Sequence, residues 1–312
     1  MKMSKGTVLP GGLLLIAMIA SSNLPAAATN TENTPTSTAT DAASGTPPAT
    51  AAPTAVATTL SATPALTATP IDVPPGWNLV WHDEFDGNTL DPSNWTYDIG
   101  GGGWGNGEAE YYTDRPENVR VENGMLIIEA RRELYQKLPF TSARLKTQGL
   151  QTFQYGRIEA RIKVPAGSGT WPAFWMLGSD IDQRPWPGCG EIDIMEYLGK
   201  DPTAILGTMH GPGYSGAQGL TKSYRQGSSI ADDFHTYAVE WDATQISWFF
   251  DGVKYSTYTR ADIGSREWVF NQPFFIMLNM AIGGTLGGLA GPSTVFPLQL
   301  QVDYVRVFQK AG

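Results

Sequence analysis

The chain has 312 residues and a formal net charge of −9, from 21 lysines and arginines against 30 aspartates and glutamates. A surface this acidic repels nucleic acid and anionic lipid, so the charge argues against both as partners and favours a neutral or cationic ligand. Cys189 is the single cysteine, which excludes an internal disulfide and predicts a small packed side chain.

The first 28 residues have the pattern of an export signal. Lys2 and Lys5 precede an apolar run over residues 13–20, and three alanines at 26–28 resemble a cleavage site. The apolar run is too short to span a bilayer, so we expect no membrane insertion once the segment is removed. An uncleaved anchor is the alternative. The mature protein is predicted to be secreted, either free outside the cell or associated with the cell wall.

Residues 29–70 consist almost entirely of Thr, Ala, Pro and Ser. Such a composition cannot bury enough apolar surface to offset the entropy lost on ordering, so a disordered linker is predicted. From Ile71 onwards Trp, Tyr and Phe become frequent, and residues 71–312 are long enough for one large domain. We expect this domain to be a monomer.

The segments between turn signals in residues 71–312 are short and strand-like. In "GRIEARIKV", Ile158, Ala160 and Ile162 alternate with charged residues, which is the period of a half-buried strand. The "DG" at 251–252 predicts a hairpin turn. Helical periodicity is almost absent, and many of the 35 Gly and 22 Pro separate the apolar segments. The sequence therefore predicts an all-β domain, either a sandwich or a barrel of antiparallel strands.

The segment "CGEIDIMEYLG" contains three acids among apolar residues that are typical of a buried strand. Side chains alternate along a strand, so Glu191 and Asp193 share one face and the isoleucines that follow each of them share the other. Glu196 joins the two acids only if a β-bulge at about residues 194–195 adds one residue. The alternative is that Glu196 turns away into solvent.

A bulge would place Glu191 and Glu196 on one face with Cα atoms about 13 Å apart, at about 3.3 Å per residue. If their side chains lean toward each other over Asp193, the carboxyls lie roughly 5–6 Å apart, as in retaining glycosidases, where one is the nucleophile and the other the acid and then the base. Asp193 would hydrogen-bond Glu191 and help to set the protonation states. A calcium site or a solvated run of charge is the alternative.

Aromatic residues surround this segment. In "GTWPAFWMLG", Trp171 and Trp175 are four residues apart and share a face if the strand is regular, while Trp104 and Trp186 lie in Gly/Pro-rich loops. Aromatic faces stack on pyranose rings, so exposed tryptophans beside carboxylates indicate a glycan cleft. The alternative for either member of the pair is a place in the core.

Five motifs, "VWHDEFDG", "WGNGEAEYYT", "TWPAFWMLG", "GEIDIMEY" and "VDYVRVFQ", together resemble glycoside hydrolase family sixteen, and within it the bacterial laminarinases, which are endo-β-1,3-glucanases. The resemblance covers about residues 77–308. It implies a jelly-roll sandwich of two curved antiparallel sheets with a substrate groove on the concave face, and a β-1,3-glucan as the substrate. The alternatives are mixed-linkage or other β-linked polysaccharides, or a non-catalytic glucan-binding protein, which would be expected to lack one or both glutamates.

The resemblance also implies roles for particular residues. Glu191 would be the nucleophile, Asp193 the assisting acid and Glu196 the general acid/base. The residues implied for substrate binding are Asn106, Arg144, Trp171, Trp175, Trp186 and His210.

A structural calcium ion is also implied by the resemblance. Its ligands would be Glu84, the backbone carbonyl of Gly124, and Asp303, which are the hard oxygen ligands that calcium prefers. Residue spacing alone does not predict this site. The three histidines do not form a zinc pattern.

Overall fold

The computed structural model describes residues 71–292 and 294–312, so the predicted export signal and linker lie outside the described residues. The strands of this part are β1 (Trp77–Asp83), β2 (Thr96–Tyr97), β3 (Glu110–Tyr112), β4 (Val119–Glu122), β5 (Met125–Ala130), β6 (Phe140–Ser142), β7 (Arg144–Lys146), β8 (Gly156–Lys163), β9 (Thr170–Gly178), β10 (Glu191–Tyr197), β11 (Ala204–His210), β12 (Leu220–Arg225), β13 (His235–Trp241), β14 (Gln245–Phe250), β15 (Val253–Thr259), β16 (Phe274–Ile282) and β17 (Leu298–Lys310). Its helical elements are α1 (Gly284–Gly287) and three 3-10 turns, Gly216–Gln218, Ile230–Asp232 and Arg260–Ile263.

Most strands belong to two antiparallel sheets, which confirms the all-β prediction. Sheet A has the order β15-β14-β13-β8-β17-β5-β4, with β1 also paired to β17. Sheet B has the order β12-β11-β10-β9-β16-β7-β2. The chain also crosses between the sheets, for example from β8 in sheet A to β9 in sheet B and from β12 in sheet B to β13 in sheet A, and such crossing is typical of a jelly-roll sandwich.

The core lies between the two sheets and forms through alternation along each strand. On β8 of sheet A, the apolar residues of the alternating motif are buried, whereas the charged residues between them are half-buried. On sheet B, Ile192 and Ile194 of β10 point into the same core cluster as Trp248 of β14. The Trp248 indole donates a hydrogen bond of 2.8 Å to the backbone oxygen of Asp193, which ties the sheets together beneath the acids. The observed fold is therefore the sandwich and not the barrel.

The predicted hairpin turn is also present. Asp251 and Gly252 join β14 to β15, and their φ angles of 47° and 74° are those of the left-handed turn that suits twisted antiparallel strands. Within the described residues, none of the helices has the length and apolar character needed to cross a membrane.

Candidate active site

Strand β10 contains the predicted bulge. In the pairing with β11, Asp193 lies opposite Thr208 and Glu196 lies opposite Leu206. Three residues along β10 therefore span the same length as two along β11, so β10 contains one inserted residue. The pairing with β9 is irregular at the same place. Thr208 also donates a hydrogen bond of 3.4 Å to the Glu196 carboxylate, so Glu196 lies on the face of the other acids. The alternative that it turns into solvent is wrong, since Glu196 is 8% exposed.

Neighbouring strands of sheet B bring the other predicted side chains to this face. Opposite Glu191 lies His210 of β11, and opposite Asp193 lies Trp175 of β9. On the far side of β9, strand β16 pairs with β7, whose Arg144 carries its guanidinium 4.9 Å from the Trp175 ring centre. The register of five strands, β7, β16, β9, β10 and β11, therefore gathers these residues around the acid cluster, by which we mean Glu191, Asp193 and Glu196.

The acid cluster is almost completely removed from solvent. Burial raises the pKa of Asp193 well above its ordinary value, and the charges of Glu191 and Glu196 and a hydrogen bond with Glu191 raise it further. Burial also raises the pKa of Glu196, although His210 and the hydrogen bonds from Trp171 and Thr208 oppose this shift. A raised pKa keeps a carboxyl protonated to higher pH, and a general acid must hold that proton before it reacts.

Trp171 differs from the exposed stacking platform that the sequence predicts. Its side chain is 8% exposed, and its indole donates a hydrogen bond of 2.9 Å to Glu196 Oε1. The ring is covered by α1, where a Cβ atom at Gly284 would lie 3.1 Å from Trp171 Cζ3. Burial of the ring arises because a segment distant in sequence packs over β9. Trp171 therefore orients Glu196, and Trp175, which is half-buried, is the member of the pair that keeps an accessible surface.

His210 and Trp186 contact the other two acids. His210 Nε2 lies 3.1 Å from Asp193 Oδ2. A Cβ atom at Gly219 would lie 2.3 Å from His210 Cε1, so only glycine leaves room for this ring. The Trp186 indole donates a hydrogen bond to Glu191 Oε2 from the loop before β10. Both residues thus touch the acid cluster directly.

Asn106 and Arg144 are held by acids that the sequence does not point to. The Asn106 amide nitrogen donates a hydrogen bond of 3.0 Å to Glu108 Oε1. Arg144 Nε lies 3.1 Å from Asp98 Oδ2, and the guanidinium lies 4.7 Å from the Trp104 ring centre. An acid beside each residue restricts its orientation at the edge of the site.

Asn279 is a site residue that the sequence analysis missed. It is 5% exposed on β16, and its Oδ1 accepts a hydrogen bond of 2.8 Å from the Trp175 indole. The sequence feature that could have identified it is a lone amide side chain in the apolar segment "FFIMLNMAI". A buried amide must find hydrogen-bond partners, so such a residue indicates a polar face beside the strand.

The predicted calcium ligands have other partners in this structure. Glu84 forms a two-pronged ion pair with Arg306, with hydrogen bonds of 2.9 and 2.7 Å. Asp303 accepts a hydrogen bond of 2.7 Å from Arg161. Gly124 lies in the turn between β4 and β5. Since each carboxylate is already neutralised by a guanidinium, this arrangement does not itself form a calcium cage, and the ion stays a prediction.

Comparisons with known proteins agree with this geometry. Residues 106–305 match the family model described as glycosyl hydrolases family 16. Over 253 residues the chain is 46% identical to the beta-glucanase of Rhodothermus marinus, covering 76% of this chain and 87% of the relative. The structure of the endo-β-1,3-glucanase from Pyrococcus furiosus aligns with a TM-score of 0.73 and 46% identity, over 76% of this chain and 95% of that one. The laminarinase catalytic domain of Thermotoga maritima aligns with a TM-score of 0.73 and 45% identity, over 76% and 99% of the two chains. This chain belongs to glycosyl hydrolase family 16.

Proposed function

We propose that the protein is a secreted, retaining endo-β-1,3-glucanase that hydrolyses laminarin-type glucans by double displacement. The observation that carries this proposal is the bulge in β10, which places Glu191 and Glu196 on one face with Asp193 between them. The solved relatives named as a β-1,3-glucanase and a laminarinase support the choice of linkage.

Each acid has a distinct role in this reaction. Glu191 attacks the anomeric carbon and forms a covalent glucosyl ester, while Glu196 gives its proton to the leaving oxygen. Glu196, now ionised, takes a proton from water as that water attacks the anomeric carbon and releases the sugar from Glu191. The Trp171 indole stabilises the ionised form of Glu196 through its hydrogen bond. Burial raises the pKa of Asp193 and keeps it protonated, so Asp193 donates a hydrogen bond that stabilises the negative charge of the Glu191 nucleophile.

The substrate assignment is tested by the release of reducing sugar from laminarin, lichenan and agarose at equal mass concentration. We expect laminarin to be cleaved fastest, lichenan more slowly and agarose not at all. Faster cleavage of lichenan would replace the assignment with a mixed-linkage glucanase. No release from any of the three by folded protein would favour a glucan-binding protein.

Asp193 gives a pH-dependent stability prediction. Because its pKa is raised in the folded state, its contribution to stability is complete below the unfolded pKa and is lost as the pH rises through the folded pKa. Asp193→Asn mimics the protonated form and removes this loss. We expect the Tm of the variant to fall less steeply than that of the wild type between pH 5 and 9, by about 2–4 °C for each kcal/mol regained. Parallel Tm profiles for the two proteins would show that Asp193 is ionised in the folded state throughout this range.

We also propose that a calcium ion takes the place of the Arg306 and Arg161 guanidiniums as the partner of Glu84 and Asp303. Bound there and by the Gly124 carbonyl, it stabilises the domain without taking part in the reaction. A ligand bound only by the folded state raises stability by mass action. Chelation is expected to lower the Tm and to leave the initial rate at moderate temperature nearly unchanged, with Glu84→Gln abolishing the calcium dependence of the Tm. Loss of turnover without a change in Tm would place the ion at the acid cluster instead.

A further inference from the structure

A second pair of carboxyl groups lies beside the proposed glucan-binding face, on the segment that enters β3. Glu108 is 7% exposed and Glu110 is fully buried. We propose that Glu110 carries the proton that the two carboxyls share, and that Glu108, which accepts hydrogen bonds through both oxygens, is a positioning residue that fixes Asn106 and Trp175 for glucan binding. This inference deepens the proposed function and rests on it.

Glu108 determines how the Asn106 amide is presented. Glu108 Oε1 accepts a hydrogen bond of 3.0 Å from Asn106 Nδ2. An ionised carboxylate can only accept, so the amino group of Asn106 must face Glu108. The carbonyl oxygen of Asn106 is thereby turned away from Glu108 and is offered as an acceptor for a sugar hydroxyl.

A directed chain of hydrogen bonds joins Glu108 to Trp175. The Trp175 indole donates to Asn279 Oδ1 at 2.8 Å, and Asn279 Nδ2 donates to the Tyr112 hydroxyl at 3.2 Å. The Tyr112 hydroxyl in turn donates to Glu108 Oε2 at 2.8 Å. An indole can only donate and a carboxylate can only accept, so the two ends fix the direction of every bond between them. Glu108, as the acceptor at the end of this chain, therefore sets the orientation of the buried amide that holds Trp175.

Glu110 is the member of the pair that carries the shared proton. Glu110 Oε2 accepts a hydrogen bond of 2.6 Å from the backbone nitrogen of Ile282, and among the described residues its buried Oε1 has no donor. Burial, the charge of Glu108 and a hydrogen bond with Glu108 raise the pKa of Glu110 well above its ordinary value. Two adjacent buried carboxylates cannot both ionise cheaply, so Glu110 holds the proton and donates it toward Glu108. Burial raises the pKa of the Tyr112 phenol well above its usual value. The phenol is therefore neutral and keeps the proton that it donates to Glu108.

The backbone attaches this pair to the elements around the acid cluster. Ala109 N donates to Ile282 O at the end of β16, and Thr285 N in α1 donates to Asn106 O, both at 2.8 Å. Since α1 also covers Trp171, the segment that carries Glu108 is attached to a wall of the site and not to the core alone.

Two matched variants separate this role from a purely structural one. In Glu110→Gln, the side-chain carbonyl still accepts from Ile282 N and the amino group still donates to Glu108, as the neutral acid does. In Glu108→Gln, one acceptor becomes an amino group that faces the donor of Asn106 or Tyr112. An unsatisfied buried donor weakens binding strongly, so we expect Glu108→Gln to raise KM for laminarin about tenfold with kcat within about threefold. Glu110→Gln is expected to raise KM by less than about twofold on the same argument.

Nuclear magnetic resonance gives a readout that does not depend on turnover. The indole N–H resonance of Trp175, assigned with Trp175→Phe, is expected to shift in Glu108→Gln and to stay in place in Glu110→Gln. If Glu108→Gln does not fold, Tyr112→Phe removes only the hydroxyl between Asn279 and Glu108 and must shift the same resonance.

Failure of the inference can be told apart from failure of the proposed function. If wild-type protein does not cleave laminarin, the proposed function fails, while the Trp175 resonance still tests the hydrogen-bond chain. The inference is overturned if the resonance stays in place in Glu108→Gln or, where that variant does not fold, in Tyr112→Phe. It is also overturned if Glu108→Gln and Glu110→Gln raise KM equally.

Discussion

Glu191→Gln and Glu196→Gln are each expected to lower kcat on laminarin by about a thousandfold or more, with a Tm within a few degrees of the wild type. Each substitution removes a reacting carboxyl and changes almost no volume. An amide in place of the Glu191 carboxylate cannot form the glucosyl ester, and an amide in place of the Glu196 carboxyl cannot give a proton to the leaving oxygen. Steady-state kinetics on laminarin together with thermal melts measure both effects.

A matched control is Glu117→Gln, since Glu117 is an exposed glutamate on the same domain. We expect its kcat and KM to equal those of the wild type, which shows that loss of an acidic charge alone does not stop the reaction. Activity within severalfold of wild type in either Glu191→Gln or Glu196→Gln would contradict the assigned roles.

Azide separates the two roles in the alanine variants. An aryl glucoside with an activated leaving group needs little protonation, so Glu196→Ala still forms the glucosyl ester, and azide then replaces the water that Glu196 would have activated. We expect azide to restore turnover of Glu196→Ala and to give a β-glucosyl azide. In Glu191→Ala, azide attacks from the vacant nucleophile position and the product is the α-glucosyl azide. The same anomer from both variants would show that the nucleophile is misassigned.

The fold could be predicted from the sequence wherever a strand is long enough to show its period. The alternation in β8 and the "DG" turn between β14 and β15 are local signals, and both are present in the structure. The bulge was also predictable, because three acids can share one face of a strand only if a residue is inserted between Asp193 and Glu196.

Short strands and distant packing could not be predicted in this way. Strands β2, β3, β6 and β7 have two or three residues each, and no period is visible over that length. Arg144 reaches the site only because β7 pairs with β16 far along the chain. Trp171 is buried because α1 packs over it, and nothing in "TWPAFWMLG" indicates this cover.

The burial of Glu108 and Glu110 could not be predicted from the sequence, for a different reason. Glu108 and Glu110 alternate with apolar residues in "GEAEYY", a pattern that equally predicts two solvated acids on an exposed strand face. Their burial depends on Ile282 and Tyr112, which come from two different strands. Only the contact of this segment with the end of β16, where Glu108 and Gly283 form an isolated bridge, shows that the acids face inward.

The stereochemistry of hydrolysis follows from the register of β10. Glu196 pairs with Ala173 and Glu191 pairs with Leu177, so the two glutamates lie opposite positions four residues apart on β9. At about 3.3 Å per residue their Cα atoms are about 13 Å apart, and two Glu side chains leaning toward each other leave roughly 5–6 Å between the carboxyls. This gap is too narrow for a water molecule to attack between the sugar and a base.

Hydrolysis of laminarin is therefore expected to retain the anomeric configuration. Glu191 must attack the anomeric carbon itself, and the water activated by Glu196 then displaces it from the opposite face, so two inversions restore the original β configuration. Proton NMR during the first minutes of the reaction should show the β-anomer of the new reducing end accumulating before mutarotation produces the α-anomer. Freshly dissolved α-glucose, followed under the same conditions without enzyme, gives the mutarotation rate as the control. If the α-anomer accumulates first, the carboxyls act at the wider spacing of an inverting enzyme, and Glu191 is a base that activates water and not the nucleophile.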